Sequence, residues 1–206
     1  AEARMIIACH YCDMYRFFGG LPWVNHALGI TDKMEFPRLT TLETLDSIIA
    51  VIDKAIPDLP WTIADLSDQD GRFTQASAMA LKSRILLFAA SPLFNSAAPY
   101  LDGEASDLKM AWHGGYDANL WKRAADAAKE LITKIESQGG YALVNTGNPR
   151  MDFRDAYYNR GNGEILISTR IYYRTNDAGG DNSYSYAGMD LFQGHGIACP
   201  TQESVD

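Results

Sequence analysis

Aromatic side chains are the residues of this sequence best suited to a chemical task. The chain carries 4 Trp, 11 Tyr and 8 Phe, and many of them lie off the helical stripes described below. A Tyr or Trp ring offers a flat apolar face and a hydrogen bond at a small cost in conformational entropy. Such rings suit a sugar, which has apolar C–H faces and hydroxyl edges. The alternative is that each ring only pins a long loop to a helix.

Two irregular stretches hold the candidates for ligand contact. One separates the third predicted helix from the fourth. The other follows an extended segment and is dense in Gly, Asn, Asp, Ser and Tyr. Binding residues concentrate in loops that a rigid scaffold positions, and helix packing does not account for these side chains. We predict ligand contacts from Trp112, Tyr172, Tyr184 and Tyr186, with Asp181 and Asn182 as hydrogen-bonding groups.

Catalytic signatures are absent from the sequence. It contains no G-x-S-x-G elbow, no H-E-x-x-H pair and no Walker loop. A glycosidase needs two carboxylates that face each other across a cleft. Asp152, Asp155 and Glu164 are near one another in sequence, but their spacing does not show that they converge. We predict no catalytic residue and no cofactor, and we interpret these carboxylates as solvated groups of loops and strand ends.

Metal ligands are not predicted either. The histidines are scattered without ligand spacing, so each is interpreted as a surface or packing residue: His10, His26, His113 and His195. The oxygen-rich run at 177–182, DAGGDN, could hold calcium, but it lacks the ligand order of an EF-hand.

The cysteines are Cys9, Cys12 and Cys199, an odd number that gives no complete disulfide framework. Cys9 and Cys12 form a C-x-x-C pair. A redox motif of this kind would follow a strand, and a zinc site would need a second ligand pair. Neither context is present, so we predict structural thiols that pack like small apolar residues.

Charge and hydropathy argue against two classes of protein. The chain has 18 Lys and Arg against 26 Asp and Glu, which gives a formal charge of -8. It shows no basic stripe of the kind that binds nucleic acid. No apolar run reaches the roughly 18 to 20 residues that span a bilayer. Charges interrupt the apolar residues at 1–18, which predicts an amphipathic helix and not a secretion signal.

Apolar periodicity predicts four helices, at about 1–18, 41–56, 75–91 and 118–137. Thr40 and Glu43 fit a capping box at the start of the second. Steps of three or four residues predict the buried face of the first helix, which contains Ala3, Ile7, Tyr11, Met14 and Phe18.

The third predicted helix is apolar on nearly every side, which is typical of a central, buried helix. The fourth has small alanines on its apolar face, which would let a neighbouring helix approach closely. Phe18, Phe88 and Trp121 lie on helical stripes and are predicted to be core residues.

Residues 140–206 are predicted to be a loop and strand region. The segment at 164–173, EILISTRIYY, alternates and is rich in β-branched and aromatic residues, so it predicts one strand. The connections between the helices are long, and loops of such length in a compact domain are usually functional. We therefore predict that the helices form a scaffold and that the loops form the functional surface.

Particular strings, rather than composition, connect the sequence with a known family. Residues 71–95, GRFTQASAMALKSRILLFAASPLFN, closely resemble the signature helix of the SusD/RagB family. AEAR at 1–4 and YRFFGGLP at 15–22 resemble the family's helix and glycine turn, and 45–60 resemble its helix ending in LP. PTQESVD at 200–206 matches the family's PTQELVD run except at Ser204. The strings occur in family order and cover most of the chain.

The resemblance implies a fold and a function. The fold is mainly α, with tetratricopeptide-like stacked helical hairpins, long loops and a short strand region near the C-terminus, all in one segment over 1–206. The function is non-catalytic binding of glycan or, in some members, peptide by a lipoprotein of Bacteroidetes-type bacteria. Such a protein is lipid-anchored on the extracellular face of the outer membrane and works with a SusC-like TonB-dependent transporter.

The match also implies that this sequence is an internal segment of a longer protein. Ala1 already lies inside a family helix, and the chain stops within the PTQ run. The family's signal, its lipid-anchoring cysteine and its C-terminal portion are therefore expected outside this sequence, and part of a ligand site could lie there too. Binding residues of the family lie in variable loops, so they are not transferred residue by residue.

Two other classes of function remain open. One is a helical-repeat scaffold that binds a peptide or protein partner. The other is a carbohydrate-active enzyme. The acidic balance and the loop aromatics favour glycan binding over the scaffold, and the lack of a recognisable catalytic pair disfavours the enzyme.

Overall fold

The computed structural model describes residues 1–24, 26–31, 34–159 and 161–167. Within these residues the chain is helical, which confirms the predicted fold class. The α-helices are α1 (Glu2–Phe18), α2 (Thr41–Ala55), α3 (Leu66–Gln69), α4 (Gln75–Ala90), α5 (Glu104–Asp107), α6 (Ala118–Gln138) and α7 (Pro149–Tyr158). A 3₁₀ turn covers Ile56–Asp58, and an isolated β-bridge joins Pro22 to Arg38.

The four predicted helices correspond to α1, α2, α4 and α6, with ends within two residues of the prediction. The capping box at the start of α2 is present. The backbone N–H of Glu43 donates to the Thr40 hydroxyl at 3.2 Å, and the Thr40 N–H donates to the Glu43 carboxylate at 2.9 Å. These bonds satisfy two backbone donors that a helix start leaves without partners.

α4 is central, as its sequence predicted. It contacts α1, α2 and α6, and its contact with α6 is the most extensive between two helices of the described residues. Buried alanines, among them Ala78, Ala124 and Ala127, supply the small side chains that let helices approach closely. α4 is nevertheless not buried on every side, because Arg84 is exposed and Leu87 is 53% exposed. One side of α4 has no helix against it within the described residues.

The core lies between α1, α2 and α4. Its largest fully buried side chains include Tyr15 and Met5 of α1 and Leu45, Ile48 and Ile52 of α2. Each such aliphatic side chain contributes about 1.5–3 kcal/mol when it leaves water. These contacts make the described helices a scaffold that can hold loops in place.

The predicted buried face of α1 is confirmed for Tyr11, and Ile7 packs partly buried against the core, but it is wrong for the other three residues. Ala3 is exposed, and Met14 and Phe18 are 38% and 62% exposed. The buried residues of α1 are Met5, Ala8, Tyr11, Cys12 and Tyr15. α1 carries apolar residues on two sides, so spacing alone could not say which side meets the core. Tyr15 lies on the side of α1 that meets the core, where its ring stacks on that of Phe94 with centroids 5.1 Å apart.

Three segments meet at Gly19 and Gly20, where α1 ends. The N–H of Gly20 donates to the Met110 carbonyl at 2.7 Å, and the Arg38 side chain donates to the carbonyl groups of Phe18, Gly20 and Met110. Gly19 has a φ of 73°, which favours glycine. A Cβ at Gly20 would overlap the carbonyl oxygen of Leu39. The glycine pair therefore permits the backbone contact that joins the two long loops to α1.

The prediction of loop and strand over 140–206 needs two corrections. Residues 149–158 form α7, because the Asn148 side chain caps the N–H groups of Arg150 and Met151, and Pro149 occupies the first helical position. Residues 164–167, the first four of the predicted strand, contain a turn residue, Glu164, and a bend residue, Leu166, but no strand. The rest of the strand lies outside the described residues. The single segment over 1–206 stays a prediction.

No helix in the described part of the chain combines the length and the apolar character needed to cross a bilayer.

Candidate functional site

The long loop between α4 and α6 (residues 91–117) is attached to the scaffold by His113. This side chain is buried between two helices. Its Nε2–H donates to the Ala89 carbonyl at 2.9 Å, and its Nδ1 lies 2.8 Å from the Thr41 hydroxyl. Burial lowers the pKa of His113, which favours the neutral ring, so Nδ1 accepts the Thr41 hydroxyl hydrogen. The prediction that His113 is a packing residue is confirmed.

Asn95 closes the same loop from its other end. Its Oδ1 accepts from the Asp117 N–H at 2.7 Å, and its Nδ2 donates to the Asp117 carbonyl at 2.9 Å. The His113 N–H donates to the Phe94 carbonyl at 2.9 Å. Asn95 is 3% exposed, so its side chain is shielded from water, although Asp117 itself is exposed. The ends of the loop are thereby held together at the start of α6.

Trp112, one of the predicted ligand contacts, lies in this loop and is half-buried. Its indole N–H donates to the Ser106 carbonyl at 3.0 Å, and the Ser106 hydroxyl donates to the Leu101 carbonyl at 2.7 Å. The polar group of Trp112 is therefore used within the loop, and only part of its ring is accessible to a ligand. Its ligand contact stays a prediction.

Two other aromatic residues of the loop are far more open. Tyr100 is 85% exposed and Tyr116 is 61% exposed. Neither hydroxyl donates or accepts a hydrogen bond among the described residues. Each presents a ring face and a polar group to solvent on a loop whose ends are fixed.

A second group of open aromatic residues lies on α7, which the sequence did not predict. Phe153, Tyr157 and Tyr158 are 70%, 74% and 75% exposed, and we call them the α7 aromatic surface. The rings of Phe153 and Tyr157 have centroids 5.0 Å apart and an interplanar angle of 46°. They are four residues apart on one helix, which brings their side chains together. The pair forms a continuous apolar platform, with a phenol hydroxyl on Tyr157.

Polar contacts on both sides position α7. Before the helix, the Asp152 carboxylate accepts from the N–H and the hydroxyl of Thr146, both at 2.6 Å. After it, the Asn162 side chain donates to the carbonyl groups of Asp155, Ala156 and Asn159 at 3.1, 3.0 and 2.7 Å. The Asn162 amide thus caps carbonyl groups that the helix end leaves without partners.

The three carboxylates that could have formed a catalytic pair each have a structural partner. Asp152 binds Thr146 as described. Asp155 accepts from the guanidinium of Arg154 at 2.7 Å, and Glu164 accepts from the Val144 N–H at 3.0 Å. Asp152 and Asp155 are half-buried. The interpretation of the three carboxylates as solvated groups is therefore incomplete for these two.

Two other Trp side chains, Trp23 and Trp61, pack loops against neighbouring aromatic rings. Trp23 packs on Tyr11, with ring centroids 4.3 Å apart. Trp61 packs edge-on against Tyr141 at 5.4 Å, and its N–H donates to the Gly139 carbonyl at 2.8 Å. The core prediction is wrong for Phe18 and Trp121, which are 62% and 39% exposed, while Phe88 is half-buried. Phe18 and Trp121 lie at the edges of their helix stripes.

The two described cysteines are structural thiols, as predicted. Cys9 is half-buried and Cys12 is buried. Burial raises the pKa of both thiols, that of Cys12 to about 12, which keeps them in the unreactive thiol form. Cys199 and the calcium candidate at 177–182 lie outside the described residues.

Five of the six predicted contact residues also lie outside the described residues: Tyr172, Tyr184, Tyr186, Asp181 and Asn182. The structure therefore neither assembles them with Trp112 nor separates them from it. The residues that sequence reasoning missed are those of α7. Their signal was present, because Asn148-Pro149 is a helix start and Phe153 and Tyr157 have helical spacing.

The helices and their loops define a class of protein, an α-helical scaffold of stacked hairpins, and solved structures place it more closely. The protein BT4246 matches with a TM-score of 0.67 and 24% identity over 84% of this chain. A SusD-like protein from Bacteroides fragilis matches with a TM-score of 0.60 and 23% identity over 85% of it. A protein crystallised with a xylogluco-oligosaccharide matches with a TM-score of 0.54 and 20% identity over 80%.

The chain is therefore SusD-like in fold, which confirms the resemblance that its sequence motifs carry. It spans 35%, 27% and 27% of the lengths of these three structures. No family model and no curated protein matches the chain.

Proposed function

We propose that this protein binds glycan oligomers without cleaving them, as part of a cell-surface uptake system. The observation that carries the proposal is the open aromatic platform of Phe153 and Tyr157, held on a scaffold with the SusD-like fold. Two rings in contact, tilted by 46° to each other, offer a continuous apolar area for the C–H faces of a sugar. A contiguous exposed apolar patch of this kind is typical of an interaction site, and glycan binding is the use we propose for it.

The comparisons support the same ligand class. A structure with this fold was obtained with a xylogluco-oligosaccharide, so the scaffold accommodates a glycan in at least one protein. The ligand contacts of that protein cannot be assigned to this chain, because the two sequences are only 20% identical. The contacts must come from this chain's own loops.

The proposed contact set has three parts. The first is the α7 aromatic surface. The second consists of Trp112, Tyr100 and Tyr116 in the loop between α4 and α6, where the two tyrosines supply open rings and free hydroxyls. The third is the set predicted from sequence beyond residue 167, namely Tyr172, Tyr184, Tyr186, Asp181 and Asn182.

The proposal extends to location and partner. We infer a lipid-anchored protein on the extracellular face of the outer membrane, which passes its glycan to a SusC-like TonB-dependent transporter. The motif resemblance supports this, since the SusD/RagB strings run through most of the sequence. The formal charge of -8 is consistent with a neutral ligand and not with a polyanion such as nucleic acid.

A glycan array with the full-length protein, followed by a reducing-end assay on every glycan that binds, tests the proposal. We expect binding to at least one neutral oligosaccharide and no release of reducing ends. Release that disappears on changing Asp152 or Asp155 to Asn would instead establish an enzyme. Binding of peptides in place of glycans would establish the helical scaffold.

A further inference from the structure

A groove lies between α1 and the open side of α4. It encloses about 320 Å³, which is within the range of small-molecule sites in proteins. The buried Ile85 and the half-buried Leu81 and Phe88 form its base, and the exposed Leu87 lies at its edge. These four residues lie within about two turns of α4, so the helix itself holds the apolar base rigid.

The groove is not used by the contacts proposed for glycan binding. None of its lining residues belongs to α7, and Ser91, the first residue of the loop between α4 and α6, is the one lining residue from that loop. Its base is aliphatic, with a single aromatic ring that also packs edge-on against Phe94 at 5.6 Å. An aliphatic base suits a hydrocarbon better than the hydroxyl-rich surface of a sugar.

Two guanidinium groups border this apolar base. Arg16 lies over the Phe88 ring, with its Cζ 5.5 Å from the ring centroid, and its nearest carboxylate oxygen, on Asp13, is 3.7 Å away. Arg84 forms no ion pair with any described residue. Both Arg side chains line the groove together with Cys12. The two cations therefore lie close to the same wall.

The local charge of the groove is opposite to that of the whole chain. Two guanidinium groups face one carboxylate here, whereas the formal charge of the chain is -8. A guanidinium pairs with a carboxylate through two parallel hydrogen bonds. An exposed Arg without an ion pair beside an apolar groove therefore offers a position for an anionic group on an otherwise apolar ligand.

We propose that this groove binds a small amphipathic carboxylate, with its hydrocarbon body on Leu81, Ile85 and Phe88 and its carboxylate at Arg84. Arg16 adds a second positive charge while it stays stacked on Phe88. The charge of the head group decides affinity in this arrangement. The same hydrocarbon with a neutral head loses the ion pair, and with a cationic head it is repelled.

Three ligands that share a ten-carbon hydrocarbon and differ in head-group charge test the proposal: decanoate, decanol and decyltrimethylammonium. Each is titrated calorimetrically into the full-length protein below the critical micelle concentration of the ligand. We expect decanoate to bind at least tenfold more tightly than decanol, and the ammonium compound more weakly than either. Arg84→Gln should weaken decanoate about tenfold and leave decanol unchanged, and Arg84→Lys should keep most of the affinity. Arg150→Gln, an exposed Arg on α7, is the matched control and should change nothing.

Equal binding of the three ligands, or no binding at all, would overturn the proposal. So would decanoate binding that Arg84→Gln leaves unchanged, because the ligand would then be held elsewhere or by its hydrocarbon alone. Arg84 is exposed, so its variants should fold, and circular dichroism checks this. Leu87→Ser should weaken decanoate and decanol by similar factors, whereas Leu143→Ser at an exposed site outside the groove should affect neither.

Discussion

The loop between α4 and α6 and the segment around α7 both present aromatic rings, but they are held in different ways. The loop is fixed by side chains that are themselves buried, Asn95 and His113 at 3% and 7% exposure. α7 has no buried residue and is held by hydrogen bonds at its two ends. A buried polar anchor is expensive to remove, because it leaves partners without hydrogen bonds away from water. The anchors of the loop therefore contribute to the stability of the fold. The exposed rings of α7 do not, so we expect their substitution to change binding and not stability.

The largest effect is expected in the scaffold that carries both regions. Ile85→Ala should lower the free energy of unfolding by about 2–5 kcal/mol, because Ile85 is 2% exposed and its removal leaves a cavity. Leu87→Ala, two residues along the same helix, should cost less than about 0.5 kcal/mol because Leu87 is 53% exposed. Urea denaturation measures both. Equal losses would show that the core does not lie where the structure places it.

The next effect compares the two anchoring asparagines directly. Asn95→Ala should cost about 2–3 kcal/mol, since the Asn95 side chain is 3% exposed and its removal breaks two hydrogen bonds to the backbone of Asp117. Asn162→Ala removes bonds to three carbonyl groups at the end of α7, but it should cost about 1 kcal/mol or less because water can replace the amide there. A larger loss for Asn162 than for Asn95 would reverse the comparison.

A glycine variant sharpens the account of how the loop joins α1. Gly20→Ala should cost about 1–3 kcal/mol, because its Cβ would overlap the Leu39 carbonyl and push two backbone segments apart. The matched control is Ala111→Gly, an exposed position in the same junction, which adds no atoms. Thermal unfolding of both variants gives the comparison. A fully stable Gly20→Ala protein would show that the junction is looser than described.

The smallest expected effect is a pH dependence of the loop anchor. Burial lowers the pKa of His113 below its ordinary value near 6.5. Below pH 6.5 the unfolded chain therefore binds a proton that the folded protein resists, and stability falls as the pH decreases toward the folded-state pKa. Above pH 6.5 the contribution is constant. Urea titrations between pH 7.5 and 5 should show this slope, and His113→Gln should flatten it. An unchanged slope in His113→Gln would contradict the assignment.

The sequence predicted the four long helices and the central position of α4 because periodicity and capping are local properties. It did not predict which side of α1 is buried, since Met14 and Phe18 compete with Met5 and Tyr15 and only the neighbouring helices decide between them. It predicted that long loops carry function. It could not predict that Asn95 and His113 fix one of them, because their partners are Asp117, Ala89 and Thr41, and most of these contacts are distant in sequence.

The aromatic residues also separate what the sequence shows from what only the packed structure shows. That a ring lies outside a helix stripe is visible in the sequence. Whether it is open is not, because Trp112 and Tyr100 lie in one loop, yet Trp112 is half-buried with its N–H bonded to Ser106 while Tyr100 is 85% exposed. The α7 rings were missed for a different reason. Residues 140–206 were predicted to be a loop and strand region, whereas Pro149, after the cap Asn148, begins a helix there.

Calorimetric titration of the full-length protein with the best glycan from the array tests the central claim most directly. Phe153→Leu and Tyr157→Leu keep apolar volume but remove the rings, and each should weaken binding by about tenfold or more, with the double variant about thirtyfold weaker than the parent or beyond. Tyr157→Phe keeps the ring and should bind within about threefold of the parent. Unfolding free energies should stay unchanged, since both rings are exposed. If both Leu variants bind the glycan as tightly as the parent, the α7 aromatic surface is not part of the binding site.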